Sequence, residues 1–105
     1  MTESEWLACE DPDLLLEDLE GKVDRHHLVD FVRRCWQRIT HYLPPVQSNY
    51  TVVEEFAALA PQMSDHDAVL YTAEAALKAA KWAPDLREER KQQAALLRCI
   101  VPHPF

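Results

Sequence analysis

The sequence predicts an all-α fold, a small bundle of about six helices in which two short amino-terminal helices dock on four longer ones. Three observations carry that prediction. Only one glycine, Gly21, stands among 105 residues, and β-hairpins lean on glycine for positive φ. The seven prolines fall between apolar-periodic segments, as residues tolerated at helix starts and excluded from helix interiors do. Within those segments apolar side chains recur at three- and four-residue steps, the period of a helix with one buried face.

Thr2-x-x-Glu5 ahead of Trp6 and Leu7 is a capping-box pattern and predicts a first helix over about residues 3–9. Asp11-Pro12, a capping acid followed by proline at the first helical position, opens a second helix through Leu14, Leu15, Leu16 and Leu19 that ends at Gly21. Helices shorter than about 12 residues are marginal alone, so these two must dock through Trp6, Leu7, Leu15 and Leu19. Asp24 caps a third helix carrying Leu28, Phe31, Val32, Cys35, Trp36, Ile39 and Leu43 on one face, stopped by Pro44-Pro45. A fourth, Tyr50 to Ala60, has Asn49 or Thr51 as candidate cap, Val52, Val53, Phe56, Leu59 and Ala60 inward, and Pro61 at its end. Ser64 with Asp67 starts a fifth running to Trp82, where Ala73, Ala76 and Ala80 allow a neighbour to come close. Pro84 opens the sixth, with Leu86, Ala94, Leu97, Leu96 and Ile100 inward, until Pro102-His103-Pro104-Phe105 prevents continuation. The predicted organisation is one helical domain over 1–105: an acidic arm (1–22), the bundle (23–101) and an extended tail (102–105).

Composition excludes several function classes. No run approaches the roughly 18 consecutive apolar residues of a membrane span, and the amino terminus is acidic where a secretory signal is basic, so a cytoplasmic chain is expected. The single glycine is incompatible with glycine-rich nucleotide-binding loops, and no cofactor is expected. Cys9, Cys35 and Cys99 are widely spaced without a CxxC pair, poor material for a disulfide framework or a zinc site.

Charge is uneven. The whole chain carries −7 and its first twenty residues −8, so the remaining 85 carry +1. Glu3, Glu5, Asp11 and Asp13 sit where carboxylates complement helix dipoles, while Glu17, Asp18 and Glu20 flank the leucine stripe of the second helix and are candidate contacts for a partner with a basic surface. Asp11-x-Asp13 has the first spacing of a calcium loop, but Leu14-Leu15-Leu16 occupies where further oxygens belong. Arg33, Arg34 and Arg38 share one face of the third helix. They are expected to face the acidic arm, or alternatively to contact phosphates of a nucleic acid, a reading the net charge opposes.

Cys35 could pair with a histidine as a nucleophile, but it lies on an apolar stripe, where a thiol is ordinarily inert packing. Neighbouring side chains diverge by about 100° on a helix, which argues against His26-His27 as a chelating pair. His66 lies between Asp65 and Asp67 in an acid-rich capping turn. No metal ligand and no catalytic residue is assigned.

Taken together, MTESEWLACEDPDLLLEDLEGK, VDRHHLVDFVRRCWQRI and QQAALLRCIVPHPF resemble the amino-terminal region of a planctomycete-enriched family of uncharacterised helical proteins that open Met-Thr-Glu-x-Glu-Trp-Leu. That family commonly has a cysteine pair before Arg-Arg-Ile-Trp, where this chain has Cys35 after Arg33-Arg34, and Phe-Gly-Asn-Pro-Phe where this chain has Val101-Pro102-His103-Pro104-Phe105. The resemblance implies a bacterial helical module and brings no activity and no site residue. The functional expectation is a non-catalytic protein–protein interaction module, an adaptor, accessory subunit or regulator. Its expected contacts are Glu17, Asp18, Glu20 and the apolar tail of Ile100, Val101 and Phe105, with Phe105 either folded back or docked on the partner.

Overall fold

In the computed structural model, which describes residues 1–44 and 50–101, six α-helices follow one another and no strand occurs among the described residues. They are α1 (Glu3–Ala8), α2 (Pro12–Leu19), α3 (Arg25–Arg38), α4 (Tyr50–Leu59), α5 (Asp65–Ala80) and α6 (Leu86–Ile100). The all-α bundle predicted above is the fold. Asn49 and the tail residues 102–105 lie outside the described residues.

Local chemistry sets most helix ends. At α1 both halves of the capping box form: the Glu5 N–H donates to the Thr2 hydroxyl, and the Thr2 N–H to the Glu5 carboxylate, each at 3.1 Å. Asp11 accepts from the Asp13 N–H at 2.9 Å and Ser64 from the Asp67 N–H at 3.1 Å. Gly21 takes φ +76°, the left-handed turn that ends α2.

Several boundaries differ from the sequence expectation: α4 ends at Leu59 rather than Ala60 and α5 at Ala80 rather than Trp82, and two further differences have a local cause. The third helix stops at Arg38 rather than reaching Leu43, passing into a 3-10 turn over Thr40–Tyr42. A residue before proline is pushed out of the helical region, and Leu43, ahead of Pro44, is extended at φ −80°, ψ 145°. The sixth helix is capped by Asp85, whose carboxylate accepts from the Glu88 N–H at 3.1 Å, rather than opened by Pro84.

The core gathers around α3, which packs most extensively against α5 and also meets α4 and α6, while α2 lies on α5 and α6. Phe31, Val32, Cys35 and Ile39 are wholly buried, as are Leu15, Leu16, Leu19, Phe56 and Leu97. Ala75, Ala76, Ala79 and Ala80 bring the α5 backbone close to its neighbours, whereas Ala73 is only partly buried. Trp6 is fully buried and ties the six-residue α1 to the rest. Three leucines expected inside are not: Leu7, Leu59 and Leu86 are 60, 41 and 43% exposed.

Two buried polar side chains of α6, Gln93 and Glu89, tie it to its neighbours. Gln93 donates to the Ala76 carbonyl at 2.8 Å and accepts from Arg90 at 2.8 Å, linking α6 to α5. Arg38 holds the nearly buried Glu89 through two hydrogen bonds of 2.9 and 3.1 Å, linking α3 to α6. The molecule measures 42 × 32 × 17 Å, a slab whose short axis suits two layers of helices packed about 8–10 Å apart. Every helix in such a slab keeps an outward face.

Candidate partner-binding surface

Helix α2 carries the exposed features of greatest chemical interest. Three consecutive leucines cannot share one face when successive side chains rotate by about 100°. Leu15, Leu16 and Leu19 take the core, and Leu14 is left 49% exposed. Around Leu14 stand two open depressions. One, of about 720 Å³, has Glu10, Asp11 and Asp13 on the α2 side, Arg87, Arg90 and Lys91 on the α6 side, and Leu14, Leu77 and Leu86 between them. The other runs along the α1 side of α2 and is lined by Met1, Glu5, Leu14, Glu17 and Asp18.

The acidic arm is largely occupied by the rest of the chain. Asp13 pairs with Arg90 at 2.5 Å and Glu10 with Lys91 at 3.6 Å. Arg98 donates to the Cys9 carbonyl. Asp18 takes the amino-terminal ammonium at 3.2 Å and Lys22 at 4.0 Å, and Glu20 meets His66 Nδ1 at 2.6 Å. The hydrogen bonds from the Thr2 backbone and then its hydroxyl hold the Glu5 carboxyl below its ordinary value. Glu17 remains exposed with no ion pair among the described residues. The expected partners of the arm are therefore corrected: Arg90 and Lys91 of α6, Lys22 and the amino terminus supply its cations and His66 a hydrogen bond to Glu20, not Arg33, Arg34 and Arg38.

Those three arginines are engaged elsewhere. Arg33 and Arg34 both bind Asp30, at 3.4 and 3.0 Å, and Arg38 binds Glu89, so a phosphate approaching this face meets paired guanidinium groups. Cys35 is wholly buried, and burial pushes its thiol far above the ordinary value, so it holds its proton. Ile100 and Val101 are half-buried against the core. Phe105, the third residue of that proposed patch, lies outside the described residues.

Sequence reasoning missed the apolar half of the surface. Periodicity points Leu86 inward, but as the first residue of α6 it falls at the rim. The Leu14-Leu15-Leu16 run was the available signal for Leu14. Although neighbouring side chains diverge on a helix, the His26 and His27 ring centroids lie 4.2 Å apart, and donor atoms of Asp24, His26 and His27 all fall within 4.8 Å of one another. No helix of the described residues is long and apolar enough to cross a membrane. No protein-family model, curated protein or solved structure matches the chain, and the likeness noted above rests on the quoted residues alone.

Proposed function

We propose that this chain is a cytoplasmic, non-catalytic protein–protein interaction module, and that it grips a basic amphipathic helix of its partner on the outer face of α2. The observation that carries the proposal is Leu14, 49% exposed at the meeting of two depressions and facing the 43%-exposed Leu86 across the larger one. Grooves of this kind take the apolar face of a helix through anchors three and four residues apart. Exposed leucines rimmed by charge are a common form of such surfaces.

Charge selects the partner. The larger groove sets three acids against three bases, while the depression beside it offers Glu5, Glu17 and Asp18, with the amino terminus and Lys22 paired to Asp18 among the described residues. A helix with leucine-type residues on one face and lysine or arginine along the flank over Glu17, Asp18 and Glu20 complements that arrangement. The net charge of −7 adds long-range steering toward a basic partner.

The test is fluorescence anisotropy with a labelled synthetic helix of leucine and lysine, and its leucine–glutamate counterpart as control. Saturable binding of the basic peptide is expected. Leu14→Asp and Glu17→Lys should each weaken it about tenfold, or about 1.4 kcal/mol. Equal binding of both peptides, or full affinity in Leu14→Asp, contradicts the proposal.

A further inference from the structure

We infer that Asp24, His26 and His27 form a surface site for a divalent transition-metal ion of the zinc class, held by two imidazole nitrogens and one carboxylate oxygen. The site lies at the start of α3, shares no residue with the α2 face, and does not depend on the function proposed above.

The donor set is chemically selective. Imidazole with carboxylate suits zinc, nickel or copper, whereas magnesium and calcium take oxygen ligands. Around a tetrahedral zinc, with bonds of about 2.0–2.1 Å, neighbouring donors lie about 3.3 Å apart. The three donors here are already within 4.8 Å of one another. All three residues are exposed or half-buried, so side-chain rotation alone can close the remaining gap.

Position in the helix explains how adjacent histidines converge. Side chains deeper in a helix are barred from some rotamers by the preceding turn. His26 and His27, the second and third residues of α3, have no preceding helical turn, and their rings lie 4.2 Å apart at a tilt of 33°.

Asp24 supplies an independent observation. Thr2, Asp11, Ser64 and Asp85, the other polar caps described, each accept a backbone N–H with the side chain, and Asp24 does not. Its carboxylate gives up the bond that ordinarily fixes a capping acid and stands with the two histidines instead. The arginines lining the depression beside the histidines are committed elsewhere: Arg25 donates to the Ala60 and Met63 carbonyls and pairs with Asp65, and Arg33 pairs with Asp30. Beside the histidines an open concavity of about 620 Å³ leaves room for water on the remaining coordination positions.

The test is titration of the full chain with zinc alone, followed by calorimetry and by NMR of the histidine rings. One saturable equivalent is expected, shifting the His26 and His27 resonances and leaving those of His41 and His66 in place. Asp24→Asn, His26→Ala and His27→Ala should each weaken binding at least about tenfold, the scale seen even for outer-shell partners of metal ligands. A Cys9→Ser/Cys99→Ser variant should bind as the parent does. The inference is overturned if zinc moves His66 and not His26 and His27, if the cysteine variant loses binding, or if His26→Ala/His27→Ala binds unchanged.

Discussion

Trp6 concentrates a large share of the amino-terminal arm's stability in one side chain. It is wholly buried, while every other residue of α1 is exposed. Trp6→Ala should destabilise the fold by about 3–5 kcal/mol, the range for deleting a large buried aromatic, read as a lower denaturation midpoint. Thr2 and Glu5 act on the same helix through solvent-facing bonds. Thr2→Ala is expected to cost about 1 kcal/mol. Because the folded state binds the Glu5 proton less tightly than the unfolded chain does, its contribution is full above the ordinary carboxylate pKa and fades as pH falls through the lowered one. Amide protection factors across α1, corrected for the intrinsic pH dependence of exchange, should therefore fall in acid, with the Glu5→Gln variant lacking that component. At Gly21, φ +76° makes Gly21→Ala unfavourable by about 1–2 kcal/mol through backbone strain; the added methyl itself has room, with Asp65 Oδ2 at 3.6 Å.

At the scale of elements, the pairing of α3 with α6 rests on an unequal couple. Glu89 is nearly buried with its side chain 10% exposed, and Arg38 is 40% exposed. Removing Arg38 strands a desolvated carboxylate, whereas removing Glu89 frees a guanidinium that can turn to water. Arg38→Ala should therefore lose about 1.5–3 kcal/mol, and Glu89→Ala less, a contrast that urea denaturation of both variants measures. Element boundaries show what was legible beforehand. Caps at Thr2, Asp11 and Ser64 were readable because cap chemistry acts over two or three residues. The early end of α3 was not, because apolar periodicity continues through Ile39 to Leu43 while the constraint from Pro44 acts on the backbone. The pairing of Asp13 with Arg90, 77 residues away, is invisible to any local pattern, and so the arm looked freer in sequence than it is.

Across the whole molecule, a slab 17 Å thin buries one face of each helix and leaves the other to solvent. The interior holds Phe31, Cys35, Phe56 and Leu97, all wholly buried. The all-α architecture and most of the core followed from period and punctuation. The candidate surface followed only in part: Glu17, Asp18 and Glu20 were legible as charge beside a leucine stripe, but Leu14 and Leu86 emerged only once the tertiary packing had decided which leucines the core could take. Leu14→Asp should accordingly leave the denaturation midpoint within about 0.5 kcal/mol of the parent, as surface changes usually do.

The most direct measurement of the central claim is amide chemical-shift mapping of the isotope-labelled chain with the unlabelled leucine–lysine helix. The account predicts perturbations centred on Leu14 and Glu17 and extending to Leu77 and Leu86. Perturbations confined to the Arg33–Arg34 face of α3, or none at saturating peptide, would contradict it.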